Sequence, residues 1–166
     1  MKYVKNPPSL AIRTLAFDLF GALGNAKRGA VAVAMWDAKV PRPAFRVYLE
    51  SPWEHDHGYV IEAAGTRRSL AAMFGYAAFA LPDFIWETVS VRRGTSGVAA
   101  ALARTGYSWK LDRAMACWFA MLFASPARTP PVLLAEVPRE AIALYTNERE
   151  KTGLWWCAHQ PPAWTA

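Results

Sequence analysis

Two short stretches bring together side chains able to do chemistry. "WEHDHG", Trp53 to Gly58, sets His55 and His57 around Asp56 and just after Glu54, while "NEREKTG", Asn147 to Gly153, carries Glu148 and Glu150 two residues apart. Imidazole nitrogens and carboxylate oxygens are ligands for zinc and other transition metals. On a helix, however, side chains at the HDH spacing diverge, and no remote Cys or carboxylate cluster completes a set. The expectation is no metal site. The pair then either opens a polar helix or contributes to a pocket, where the imidazole of His57 suits acid–base work near neutral pH. Taken alone, Glu148 and Glu150 read as solvated acids beside Arg149 and Lys151. Cys117 lies inside an apolar stretch with no neighbouring charge to activate a thiolate. Neither a phosphate-cradling Gly-rich loop nor a G-x-S-x-G elbow occurs, which sets aside nucleotide hydrolysis of the P-loop kind and serine hydrolase chemistry.

The elements that must position these residues come from a chain of 166 residues, 54% hydrophobic and 13% aromatic, enough for one substantial core and one domain. Eight tryptophans are many for this length, and Trp109, Trp118, Trp155 and Trp156 fall in segments that read as core. Buried indoles want a partner for their N–H, so some should line a cavity or an interface. The net charge of +6 arises from 19 scattered basic residues that never run beyond pairs such as Arg67-Arg68 and Arg92-Arg93, which argues against a nucleic-acid stripe and leaves a protein partner. Only Cys117 and Cys157 are present and they form no C-x-x-C pair, so a reducing cytoplasm is expected. Asn6, Pro7 and Pro8 interrupt any secretory signal pattern, and the longest apolar run, Ala114 to Ala124, is too short to span a bilayer. No membrane association is expected.

Along the chain, Ser9 caps a first helix reaching about Gly24, with Ile12, Leu15, Phe17, Leu19, Phe20 and Leu23 as a broad buried stripe. "GAVAVAMW", 29–36, fits helix or strand equally. "KVPRPAF" reads as a loop, because each proline restricts the residue before it. Helices over 53–64 and 66–80 follow, broken at Gly65, with Thr66 as the second N-cap. From Thr88 the pattern changes: a strand "TVSVRRG", a short strand in "GYSWKLD", a helix "RAMACWFAMLFA" capped by Asp112 and apolar on nearly every side, a strand "PPVLLAEV", a short helix "PREAIALY" and a final strand "LWWCAH". The class is α+β, with a mainly helical region over 1–85 and a mixed core over 86–166.

Taken in order, "VSVRRGT", "GYSWKLDRAMACWFA", "PVLLAEVPREAIALYTNERE" and the closing strand resemble the ADP-ribosyltransferase fold, particularly its small bacterial and phage members, over about residues 86–160. The resemblance implies that NAD is the substrate. It implies that Arg93 holds a phosphate or ribose, with Gly94 letting the backbone come close, that Ser108 orients the site, and that Tyr107 and Trp109 stack on nicotinamide. Lys110 stands where the family pattern has Thr. Its catalytic carboxylate is the last Glu of an E-x-E placed just before the final strand, where it stabilises the positive charge that builds on the ribose. Here that slot reads Lys151-Thr152-Gly153, so Glu150 and Glu148 are the candidate acids, displaced from the family position. A small shift of a catalytic carboxylate is expensive in rate. The resemblance therefore implies an ADP-ribosyltransferase-like protein with weak or lost activity. The alternative is a non-catalytic binding protein, such as a phage inhibitor of host defence of the anti-CRISPR kind, that uses the same scaffold to block a host protein.

Overall fold

The computed structural model describes residues 9–122, 124–125, 130–146 and 153–156, and the chain forms two compact units, Met1–Ala80 and Leu81–Ala166. The class is α+β with a helical N-terminal half.

The first unit contains four helices: α1 (Leu10–Ala22), α2 (Asn25–Asp37), α3 (Arg42–Ala64) and α4 (Arg67–Ala77). Ser9 caps α1 by accepting from the Ile12 amide. The ambiguous run 29–36 is helical, and α2 is held against α3 by small residues. Only Gly29 and Ala32 of α2 are buried, and a Cβ added at Gly29 would lie 2.2 Å from the Tyr59 carbonyl oxygen. The expected loop at "KVPRPAF" is instead a helix start: Pro41 is the N-cap of α3 and Pro43 sits in the first turn, where a missing amide proton costs nothing. In α3, Phe45, Tyr48, Leu49, Pro52 and Trp53 recur at the spacing of one helical face and are buried, and they pack with Leu70, Met73, Phe74 and Ala77 of α4. The rings of Trp53 and Phe74 meet edge to face at 4.6 Å. Gly65, at φ +69, ends α3, and the Thr66 hydroxyl accepts from the Ser69 amide to begin α4.

Burial of α1 departs from expectation. None of its residues is buried, and Leu10, Leu15 and Phe17 are 80%, 70% and 71% exposed. Only the side carrying Ile12, Ala16 and Phe20 is half-buried, because α3 is the element this helix packs on. The C-terminal end of α1 is fastened by Arg28, whose Nε donates to the carbonyls of Phe20 and Leu23, each at 3.1 Å, while its Nη1 donates to Asp56 Oδ2 at 2.6 Å. The guanidinium lies 3.8 Å from the Phe20 ring centroid. Asp56 reaches Arg28 because it leaves helical geometry (φ −137, ψ 29) and divides α3 in two.

The Tyr48 hydroxyl donates to the Arg28 carbonyl at 3.2 Å, and burial pushes its pKa up to about 12 from 10.0. A folded-state pKa above the unfolded one holds stability below the unfolded value and loses it as pH rises through the folded one. Stability of this unit is therefore expected to fall between pH 10 and about 12. Denaturant midpoints across that window test this, and Tyr48→Phe should flatten the decline.

The second unit is built on a five-stranded sheet of order β3-β1-β2-β5-β4, comprising β1 (Thr88–Gly94), β2 (Ser108–Lys110), β3 (Val132–Pro138), β4 (Ile142–Thr146) and β5 (Gly153–Trp156), with all pairings antiparallel. Two helices interrupt it, α5 (Ala100–Arg104) and α6 (Arg113–Met121). β1 matches the sequence expectation residue for residue and runs in seven-rung register with β3, from Thr88 opposite Pro138 to Gly94 opposite Val132. Val91, Ala135 and Val137 point with Trp109, Ile85 and Ile142 into one buried cluster. The Arg139 guanidinium closes this end of the sheet by donating to the carbonyls of Leu81, Pro82 and Ile85.

Two further expectations are corrected. "PREAIALY" is a single 3-10 turn, Arg139–Ala141, followed by β4, in which Ile142, Leu144 and Thr146 are buried alternately. That period of two belongs to a strand and overrides the helix-opening proline. α6 is not buried on all sides: only Ala116 and Ala120 are, while Trp118, Met121 and Leu122 are 45%, 61% and 44% exposed. Asp112 caps this helix as expected, accepting from the Met115 amide at 2.6 Å. Trp109 is core, as its segment suggested; Trp118 is not.

Candidate functional site

Arg93 and Gly94 end β1, and Ser108 begins β2 after the turn that follows α5. The fold does bring Arg93 and Ser108 together: Arg93 Nη1 donates to the Ser108 main-chain carbonyl at 2.6 Å. The guanidinium lies flat against Gly106, where an added Cβ would come within 2.2 Å of Arg93 Cζ. Burial lowers the Arg93 pKa, since a desolvated cation is disfavoured. Among the described residues the Ser108 carbonyl is its one acceptor, and the buried Nε has none; the buried Thr95 hydroxyl two residues on is likewise unsatisfied. The arrangement is a partly desolvated cation held by one neutral acceptor, with its Nε–H buried and unpaired among the described residues.

The other residues of the set are placed differently from the dinucleotide arrangement. Gly94 makes its close approach to α6: a Cβ there would meet the Ala116 carbonyl oxygen at 1.8 Å and the Ala120 nitrogen at 2.7 Å. Trp109 is 1% exposed, inside the core cluster, with Nε1 donating to the Gly106 carbonyl at 2.8 Å, so neither face of the indole is open to a nicotinamide. Tyr107 and Ser108 are half-buried. Lys110, 8% exposed, holds its ammonium 4.9 Å from the Phe119 ring centroid and stands opposite Arg92 and Gly153 in the sheet. Gly153 is the first residue of β5, paired with Lys110 and Thr146. Glu148 and Glu150 lie outside the described residues.

The "WEHDHG" stretch lines an open hollow of about 520 Å³ with His55, Asp56, His57, Gly58, Tyr59 and Glu62. His55 Nδ1 is 2.9 Å from the Ser51 carbonyl, and its ring lies 5.6 Å from that of Phe20. The His57 ring is 5.9 Å from that of Trp53, and Asp56 is committed to Arg28. Among the described residues no three His, Cys, Asp or Glu side chains converge to hold a metal. Sequence reasoning missed Arg28 and Arg139, whose acceptors are 5 to 58 residues away in the chain and leave no local pattern.

No family model, no curated protein and no solved structure matches the chain. Among the described residues, no helix is long and apolar enough to cross a membrane.

Proposed function

We propose that the chain is a non-catalytic binding protein whose contact face is the outer side of α6, and that it acts by occluding a protein partner. The observation that carries this reading is the orientation of that helix. Ala116 and Ala120 face the sheet, while Trp118, Met121 and Leu122, spaced i, i+3, i+4, form an apolar stripe on the opposite side. Tryptophan and methionine are enriched at the centres of protein interfaces, and a solvent-facing cluster of them on a basic chain suits an apolar or acidic protein surface. The Arg93 region favours the same reading, since the guanidinium is engaged with Ser108 and the proposed aromatic platform at Trp109 is core. The free thiol of Cys117 suits a reducing compartment, and the cytoplasm is the proposed setting.

Calorimetric titration with NAD, followed by a nicotinamide-release assay on the same sample, separates this from weak transferase activity. The expected result is no release. A stoichiometric complex with a partner protein should form equally with and without NAD and be lost in Trp118→Asp. Nicotinamide release that disappears in Arg93→Ala would reverse the assignment in favour of the transferase.

A further inference from the structure

Lys39, Arg42 and Arg46 gather around Tyr76, where α2 ends and α3 begins. The Lys39 ammonium lies 4.7 Å from the Trp36 ring centroid and 5.9 Å from that of Tyr76, and the Arg42 guanidinium lies 5.6 Å from the Tyr76 centroid. Tyr76 is itself fixed, its hydroxyl donating to the Val40 carbonyl at 2.8 Å and its ring meeting that of Phe45 at 5.5 Å. Arg46, one turn after Arg42, donates from Nε to the Ala77 carbonyl at 2.7 Å and leaves its Nη groups without an acceptor among the described residues. None of the three cations forms an ion pair among those residues. Burial lowers the Arg46 pKa, and the like charge of Arg42 lowers it further, by more than the Glu50 carboxylate raises it. The cluster is a positive field that Glu50 does not balance. Lys39 adds a second sign. It takes the left-handed position after α2, φ +53, with its amide donating to the Trp36 carbonyl and the Val40 amide to the Met35 carbonyl, a helix stop usually filled by glycine. A lysine is strained there by its Cβ, and what it contributes in return is the ammonium beside Trp36 and Tyr76.

We propose that Lys39, Arg42 and Arg46 bind a single phosphate group, that of inorganic phosphate or of a small phosphate monoester. A phosphate offers three oxygens to the three cations, and the planar guanidinium forks match its geometry, whereas a carboxylate has one oxygen fewer to share. Beyond the cluster the basic residues are scattered, so no track for a polynucleotide backbone continues from it. NMR titration of the full, isotope-labelled chain at about pH 8, where phosphate is mainly a dianion, reads the site with ionic strength held constant by sodium chloride. Inorganic phosphate should give saturating shifts confined to 36–46 and 76–78, with a Kd in the millimolar range. Glycerol phosphate in a second arm separates the two sources by which of them binds more tightly. Arg42→Gln should weaken binding about threefold or more. Lys39→Gly should do the same while raising the melting temperature, because glycine adopts this backbone without strain, and that distinguishes loss of the ammonium from damage to the fold. Shifts reproduced by chloride alone, no saturation below about 50 mM phosphate, or an affinity unchanged in either variant would each overturn the proposal. So would a Lys39→Gly variant that loses binding and stability together, or a short single-stranded oligonucleotide that binds more tightly than both phosphates.

Discussion

Replacing Asp56 with alanine is expected to destabilise the helical unit by about 3–5 kcal/mol, the cost of leaving a buried cation without its counter-ion. Arg28 and Asp56 side chains are 14% and 7% exposed and meet at 2.6 Å, so water does little to screen the loss. The Arg28 guanidinium cannot simply swing out to solvent, because its Nε holds the last carbonyls of α1 and its face covers Phe20. Removing the pair together should cost less than removing one partner. A double variant, Arg28→Met with Asp56→Leu, replaces two desolvated charges by apolar volume and should recover a large part of the loss. Urea denaturation of Arg28→Met, Asp56→Leu and the double variant gives the cycle. A single variant with an unchanged midpoint would show that the ion pair contributes nothing.

The second large effect is expected at Gly94. Substituting alanine there places a methyl group against the Ala116 carbonyl oxygen and the Ala120 nitrogen, backbone atoms that cannot rotate away, so α6 must lift from β1 or the strand must bend. Overpacking of this kind costs about 1–3 kcal/mol where side chains can adjust, and a backbone obstacle puts Gly94→Ala at or above the top of that range. Gly75 supplies the contrast. It lies in the interior of α4 with nothing within 4 Å of an added Cβ, and Gly75→Ala should stabilise by about 0.5–1 kcal/mol through helix propensity alone. Thermal unfolding of the two variants should therefore move in opposite directions.

What was legible in the sequence was what local chemistry decides. Ser9, Thr66 and Asp112 all cap the helices they were expected to cap, since a side-chain oxygen and an amide three residues on need no tertiary context. The bounds of β1 were legible for a similar reason: valine alternation marks its interior and Gly94 its end. Burial was not. A broad apolar stripe on α1 and an α6 apolar on nearly every side predicted extensive burial, yet α1 has no buried residue and α6 buries only Ala116 and Ala120, α1 being covered by α3 and α6 by the sheet. Composition reports how much apolar surface a helix has and cannot report how many neighbours come to cover it. The candidate site divides along the same line. Arg93 and Ser108 are neighbours, as the order of motifs implied, but the contact runs through a main-chain carbonyl, which no side-chain motif encodes. Trp109 read as core from its segment and as a cofactor platform only through the resemblance, and the cluster around it is core.

The sheet has one seven-residue outer strand, β3, and its prolines bear on how the chain behaves at high concentration. Pro130 and Pro131 stand immediately before Val132, and Pro138 ends the strand. Proline has no amide proton to donate, so a foreign strand laid along this edge would find the ladder broken at both ends. The outward side chains Val132 and Leu134 supply the stickiness that runaway strand addition exploits, and the flanking prolines act as stops confining it to a few residues. For so apolar a chain this is a built-in brake on fibril growth.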